Sequence, residues 1–187
     1  MLVRRVDGRI LSGRIVEVEA YSSDDPASHA FRGRTKSNRA LYGEPGHAYV
    51  YFTYGMHFCL NVVAHRGQSA GGVLIRALEP LEGIDQMMKR RRTDVARNLT
   101  CGPGNVTRAL GIDIRLYGAD LTRSGALFIV DAGSLRVPAL RTSRIGVRAG
   151  KEKLWRFVIK DSPYASGPRR VPPAGRAANA SRRPPAP

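Results

Sequence analysis

The chain has 187 residues, enough for one domain with a substantial core but hardly for two. Lysine and arginine number 31 against 15 acidic residues, and the formal charge of +16 favours a polyanionic partner, with nucleic acid ahead of an anionic membrane surface. The sequence has no recognisable secretory leader, no run of about 18 apolar residues and no paired cysteine spacing, so we expect a protein of the reducing cytoplasm, associated with the nucleoid if bacterial.

The N-terminal segment predicts a β-hairpin. Leu2–Val6 and Ile10–Tyr21 have the composition of strands, and Asp7-Gly8 between them is a favourable turn pair.

Two carboxylates lie on one face of the second strand. Period-two alternation places Glu17, Glu19 and Tyr21 opposite Val16 and Val18. Carboxylates are poor strand formers, so their presence in a strand needs an explanation. For Glu17, exposure to solvent explains it as well as a functional role does. Glu19 lies beside an aromatic ring in a strongly basic chain, which suggests a general base that acts on a negatively charged polymer.

Residues 22–47 predict a long irregular connection, which is uncommon in compact domains and often functional. It carries four basic side chains, Arg32, Arg34, Lys36 and Arg39. These charges agree with a nucleic-acid contact, although charged loops are also simply soluble.

A second hairpin is predicted from Ala48–Tyr54 and His57–Ala64. Its strands are rich in aromatic residues, and we expect Tyr49 and Phe52 in the core.

The tip of this hairpin and its neighbours suggest a way of holding nucleic acid. Tyr54 and Met56 flank a glycine at the turn, where a basic protein could insert them between base pairs. Tyr51, together with Tyr21 and His29, could form a stacking box for an extruded base.

The remaining elements are strands with a few short helices. We predict a third strand at Gly72–Leu78 ended by Glu79-Pro80, helices at Gly83–Arg92 and Asn105–Leu110, and further strands at Ala126–Asp131 and Leu154–Lys160. Consecutive strands favour an α+β fold: a single domain with a mainly antiparallel curved sheet, open and barrel-like, a protruding hairpin and a few packed helices.

The last twenty residues differ in composition from the rest. Residues 168–187 contain five arginines, no acids and six of the twelve prolines, which predicts a disordered tail and a folded domain at 1–167. The tail could add non-specific phosphate contacts or be a functionless extension.

The motifs, taken together, resemble the alkyladenine (3-methyladenine) DNA glycosylase family. The resemblance covers about residues 10–166 in order. Its matching motifs are Glu17-Val-Glu-Ala-Tyr21, His29, Arg34-Thr35 with Asn38-Arg39, Tyr49-Val-Tyr-Phe-Thr-Tyr-Gly-Met56, Asn61, Leu74-Ile-Arg-Ala-Leu-Glu-Pro80, Cys101-Gly-Pro-Gly104, Ala109-Leu-Gly-Ile-Asp113, Arg144-Ile-Gly-Val147 and Ser162-Pro-Tyr164.

The resemblance implies a catalytic centre and a DNA-binding surface. Glu19 would activate the water that attacks C1′, and Arg76 would help to hold that water, as would a backbone carbonyl near residues 145–147. The implied binding residues are Tyr21, His29 and Tyr51 around the flipped purine, Asn61 at the pocket floor against the 2-amino group of guanine, Tyr54 and Met56 at the gap in the duplex, and Arg34, Thr35, Asn38 and Arg39 on the DNA backbone.

The resemblance also implies the substrate and the reaction. Family substrates are 3-methyladenine and 7-methylguanine and, in many members, hypoxanthine and ethenoadenine, all in double-stranded DNA. We expect a monomer that needs no cofactor or metal, and a monofunctional enzyme, because the matched motif has no lysine near Glu19 for a Schiff base. Family members commonly carry a further segment before the first strand, so the domain could be N-terminally shortened.

Two other functions compete with a repair glycosylase. Charge and aromatic residues alone would also suit a non-catalytic nucleic-acid-binding module, but the presence of Glu19 and Arg76 argues against it. An RNA-modifying or nucleoside-processing hydrolase could use the same acid and slot, but Tyr54 and the basic loop favour a duplex.

Overall fold

The computed structural model describes residues 1–67, 69–131, 133 and 137–167. The tail predicted at 168–187 lies outside the described residues. No helix within these ranges is long and apolar enough to cross a membrane.

The described residues form a curled antiparallel sheet of eight strands with two short α-helices packed on it. The strands are β1 (Leu2–Val6), β2 (Arg9–Ser22), β3 (Ala48–Thr53), β4 (His57–Val63), β5 (Gly71–Glu82), β6 (Leu127–Ile129), β7 (Ala139–Thr142) and β8 (Arg156–Ile159), and the helices are α1 (Ile84–Arg91) and α2 (Pro103–Leu110). The strand order is β3-β4-β5-β2-β1-β6, and β8 pairs with β2 and β7. The predicted α+β fold with a mainly antiparallel curved sheet is confirmed.

The long strand β2 is the centre of the sheet. It pairs with β5 along one edge, and its other edge pairs first with β1 and then with β8. Glu17 and Glu19 lie in the second half of β2, opposite Val158 and Arg156 of β8. The two carboxylates are therefore inside the sheet, between strands that come from distant parts of the chain.

Both predicted hairpin turns are present. Asp7 and Gly8 have φ values of 52° and 69°, and Tyr54 and Gly55 have 51° and 64°. Two consecutive residues with positive φ match the twist of antiparallel strands, which explains the tight connections. Tyr54 thus adopts a conformation that is uncommon for a residue other than glycine.

The main core lies between the sheet and the two helices. Helix α2 packs against β4 and β5, and α1 packs against α2. The fully buried residues of this core include Leu11, Leu60, Ile75, Leu78 and Leu110. A smaller apolar cluster, which includes Leu41, Tyr49 and Val63, lies beneath the irregular connection of residues 22–47 and holds it against the sheet.

Three sequence expectations about the strands are wrong. Strand β5 does not end before Glu79 but continues through Pro80, which is opposite Gly13 where the β2–β5 register shifts; an irregular ladder tolerates the missing N–H of proline. Strand β7 was not predicted because its side chains are mostly exposed and carry little apolar pattern. Phe52, expected in the core, is 56% exposed.

Candidate active site

Most of the base-binding and catalytic residues that the resemblance implies lie around one pocket of about 480 Å³. Its walls come from β2, β3, β4 and β5, from the connection after β2 and from residues 145–149. Six of the predicted site residues line it: Tyr21, His29, Tyr51, Tyr54, Asn61 and Arg76.

Glu19 lies beneath this pocket with no exposed surface. Its Oε2 accepts hydrogen bonds from the Tyr21 hydroxyl at 2.8 Å and from Arg76 Nη1 at 3.2 Å, and its Oε1 accepts one from the backbone N–H of Ile145 at 2.7 Å. A carboxylate offers about four acceptor positions. The described residues occupy three of them, and the remaining position, on Oε1, has no donor among these residues.

Tyr21 serves Glu19 as well as the pocket. Burial, followed by the nearby charge of Glu19, raises the pKa of the Tyr21 phenol, which therefore stays protonated and donates. The Arg144 guanidinium lies 4.6 Å from the centre of the Tyr21 ring. The hydrogen bond to Glu19 therefore fixes the hydroxyl end of Tyr21, and Arg144 packs on the face of its ring.

The opposite wall is aromatic and fixed by its own contacts. His29 Nδ1 lies 2.7 Å from the Tyr49 hydroxyl, and the rings of His29 and Tyr51 meet edge to face at 4.5 Å. Tyr49 stacks on Tyr51 at 5.3 Å. His29 keeps an exposed side, and partial burial of its ring lowers its pKa, so the ring is neutral at neutral pH.

Asn61 and Cys59 form part of the pocket lining contributed by β4. Both side chains are buried, and Asn61 Nδ2 donates to the carbonyl of Tyr49 at 3.4 Å. Burial raises the pKa of the Cys59 thiol, which is therefore a neutral lining group at neutral pH.

The hairpin tip projects into solvent. Tyr54 is 78% exposed and Met56 is 75% exposed, as their predicted position at the turn requires. The ring of His57, at the base of the tip, lies 5.9 Å from that of Tyr54 and packs against Gly104 at the start of α2. The tip thus stands on a rigid support next to the pocket.

The residues of the basic connection that are predicted to contact the DNA backbone differ in their exposure. Arg34, Thr35 and Arg39 are exposed, whereas Asn38 is buried. The Asn38 amide donates to the carbonyls of His29 and Gly33 and accepts from the N–H of Thr35. Because these bonds use both ends of the amide, Asn38 holds the loop in shape and does not present its side chain on the surface.

A second groove, of about 740 Å³, runs between this connection and β3. Its lining includes Arg32, Lys36, Arg39 and Tyr117 but no carboxylate. Although it is larger, none of the donors to Glu19 lines it, whereas Tyr21, Arg76 and Ile145, which all donate to Glu19, line the smaller pocket.

Glu17 is not on a solvated face. Only 1% of the residue is exposed, and its carboxylate accepts hydrogen bonds from Arg76 Nε at 2.9 Å and Arg156 Nε at 2.7 Å. Ser166 donates to it from both its hydroxyl, at 2.8 Å, and its backbone N–H. Of the two alternatives that the sequence left open for Glu17, the solvated face is wrong, because Arg156 of β8 and Ser166 of the segment after it contact this carboxylate.

A buried ion pair that sequence reasoning did not assign joins the two loops beside the pocket. Arg144 pairs with Asp25, and both side chains have no exposed surface. Arg144 also donates to the carbonyls of Ala20 and Gly150. Arg144 is the first residue of the matched motif Arg144-Ile-Gly-Val147, and this position was the one feature of the sequence that could have indicated its importance. No feature of the sequence indicated a role for Asp25.

The described residues contain no group of three or more His, Cys, Asp or Glu side chains that could hold a metal ion.

Comparison with known proteins identifies the family of the chain. The profile of the methylpurine-DNA glycosylase family matches residues 1–163. A protein of Carboxydothermus hydrogenoformans is 48% identical over 88% of this chain and 87% of its own length, and one of Chlorobaculum parvum is 46% identical over 85% and 77%. A third, of Rhizobium johnstonii, is 48% identical over 87% and 78%. Each of the three bears the name "Putative 3-methyladenine DNA glycosylase".

The match spans both the sheet and the loops that build the pocket, and the family comprises DNA repair enzymes that remove damaged bases. The chain belongs to the methylpurine-DNA glycosylase family.

Proposed function

We propose that this protein excises alkylated purines, 3-methyladenine and 7-methylguanine in the first place, from double-stranded DNA by hydrolysis of the N-glycosidic bond. Hypoxanthine and ethenoadenine are proposed as further substrates. The observation that carries the proposal is Glu19, a buried carboxylate held by three donors below an aromatic pocket, with one acceptor position left on Oε1.

In the proposed reaction, water bound to Glu19 attacks C1′ of a nucleotide that has been turned out of the duplex. The bond from C1′ to the purine nitrogen breaks, its electron pair leaves with the base, and the water proton passes to Glu19. Positive charge develops on the sugar as the bond weakens, and a nearby carboxylate stabilises it. Arg76 holds the carboxylate in place and helps to hold the water.

The pocket suits a cationic purine. N-alkylation makes the base positively charged and a better leaving group, and the ring faces of Tyr21 and Tyr51 attract a cation. His29 adds no opposing charge because burial lowers its pKa. Asn61, on the pocket floor, would crowd the 2-amino group of an undamaged guanine.

The exposed side chains around the pocket suit a duplex. Tyr54 would enter the gap that the flipped base leaves, with Met56 beside it. Arg34, Thr35 and Arg39 would contact the DNA backbone, and Asn38 would hold the loop that carries them. We propose that a monomer suffices, since one chain supplies all of these groups.

The proposed enzyme leaves an abasic site and does not cut the strand. No lysine lines the pocket within the part of the chain that the structure describes, so a Schiff base with C1′ has no amine donor there.

The test is a single-turnover assay on duplexes that each carry one modified purine, with free base and abasic sites measured separately. The wild-type protein should release 3-methyladenine or 7-methylguanine, and Glu19→Gln should slow release by at least about 100-fold, the lower range for general base catalysis. Full activity in Glu19→Gln would overturn the assignment of the base. Trapping of a covalent adduct by borohydride would overturn the monofunctional mechanism.

A further inference from the structure

Glu17 is the one carboxylate of the motif Glu17-Val-Glu-Ala-Tyr21 that the proposed reaction does not use. It is nevertheless as deeply buried as Glu19 and accepts four hydrogen bonds. Burying a charge without such partners is strongly unfavourable. The number and chemistry of these contacts point to a role in addition to filling space.

The Arg76 guanidinium connects the two carboxylates. Its Nε donates to Glu17 at 2.9 Å, its Nη1 donates to Glu19 at 3.2 Å, and its Nη2 donates to the Ser166 hydroxyl at 3.1 Å. Nε also reaches the Ser166 hydroxyl, at 3.3 Å, so Glu17, Glu19 and Ser166 together fix the plane of the group, with Glu17 as the shorter contact of Nε.

The charges of this cluster balance. Glu17 and Glu19 supply two negative charges, and Arg76 and Arg156 supply two positive ones. Arg156 binds Glu17 through Nε and reaches the Ser166 carbonyl through Nη2 at 2.7 Å. Arg156 thus neutralises Glu17 from the far side, and Glu17 can hold Arg76 without leaving a net charge in the interior.

We propose that Glu17 is a positioning residue for the reaction: it anchors Arg76 through Nε so that only Nη1 contacts Glu19. An unanchored guanidinium would turn toward Glu19 and bind it through two parallel N–H groups, the preferred geometry of an arginine and a carboxylate. The second of those bonds would occupy the acceptor position on Oε1 that the water needs. Glu17 keeps that position open. The inference rests on the proposed function.

The test compares rate and affinity in Glu17→Gln, which keeps the size of the side chain and removes its charge. The single-turnover rate on the best alkylated duplex should fall roughly 10- to 100-fold, as expected for the loss of a hydrogen bond between charged groups. The dissociation constant for the same duplex should stay within about twofold, because Glu17 touches no surface that DNA reaches. A control for charge removal on the same sheet is Glu79→Gln, which breaks the partly exposed pair Arg14–Glu79, at 2.7 Å, outside the pocket.

The same Glu17→Gln change made in an Arg76→Lys variant distinguishes a positioning role of Glu17 from a role in supporting the fold. Lysine carries its three N–H donors on one nitrogen and has no guanidinium plane for Glu17 to orient. In Arg76→Lys, the further change Glu17→Gln should therefore alter the rate by less than about twofold, since it has no guanidinium left to orient. A purely structural role would reduce the rate equally in both backgrounds.

If Glu17→Gln does not fold, the pair Glu17→Gln/Arg156→Gln removes both charges and leaves no unpaired arginine. This double variant should be folded and still slow. A wild-type rate in either folded variant overturns the inference, provided that wild-type protein and Glu19→Gln behave as proposed in the same assay. Absence of base release from the wild type would instead overturn the proposed function.

Discussion

The Tyr21 hydroxyl donates a hydrogen bond of 2.8 Å to Glu19, two residues before it on the same strand. One residue therefore provides an aromatic wall to the pocket and a donor to the carboxylate below it. The sequence places both side chains on one face of the strand, and the structure shows that they form a hydrogen bond with each other.

Tyr21→Phe separates these two contributions. The ring remains, so binding of the lesion duplex should change by less than about twofold, while the loss of a bond to a charged acceptor should slow base release roughly 10-fold. Tyr21→Ala should impair both quantities. Single-turnover kinetics and equilibrium binding measure them, and an unchanged rate in Tyr21→Phe would remove the hydroxyl from the mechanism.

Tyr54→Ala tests the hairpin tip. Because Tyr54 is 78% exposed, the variant should unfold with a free energy within about 0.5 kcal/mol of wild type. Its affinity for a lesion duplex should fall roughly 10-fold, the lower range for one aromatic–base stack. Ile10→Ala, at an exposed apolar position in the first hairpin, is the control and should leave affinity unchanged. Equal affinities for Tyr54→Ala and wild type would exclude insertion.

Asp25→Asn tests the buried ion pair beside the pocket. Removal of one partner leaves the Arg144 charge buried and should lower the free energy of unfolding by about 3–5 kcal/mol. In the double variant Asp25→Asn/Arg144→Gln the loss should be smaller than the sum of the two single losses. Denaturant unfolding measures both. Asp113→Asn, in an exposed pair with Arg115, is the control; strict additivity at 25 and 144 would mean that the two groups do not interact.

Because His29 is neutral in the folded protein, we predict that the free energy of unfolding depends on pH. Burial lowers the pKa of folded His29 below the ordinary value of 6.5. Between the folded pKa and about 6.5 the unfolded chain binds more protons, so the stability that the neutral ring contributes is complete above about 6.5 and declines as the pH falls toward the folded pKa.

Two measurements follow from this state of His29. The free energy of unfolding should decrease more between pH 7.5 and 5.5 in wild type than in His29→Gln, and NMR titration of the ring should give a pKa below that of a free histidine. Protonation would also place a positive charge beside the base, so release of 7-methylguanine should decline more steeply with acid than release of neutral hypoxanthine. Identical pH profiles for the two lesions would argue against contact between His29 and the base.

Local features of the fold could be predicted from sequence because neighbouring residues determine them. Asp7-Gly8 and Tyr54-Gly55 are each followed and preceded by strand residues, and both turns form where expected. The aromatic hairpin, its exposed tip and the identity of Glu19 as the acid near Tyr21 follow from the same short-range pattern. Phe52 was misplaced since alternation indicates which residues share a face but not which face is covered.

The burial of Glu17 was decided by tertiary structure. Its partner Ser166 is 149 residues away and Arg156 is 139 residues away along the chain. The alternation of β2 puts Glu17, Glu19 and Tyr21 on one face, and the sequence left open whether water covers Glu17. Strand β8 pairs with β2 and brings Arg156 to Glu17, and the segment after β8 brings Ser166. Sequence alone therefore determined which carboxylates share a face, and the long-range contacts determined that one meets the pocket while the other meets two arginines and Ser166.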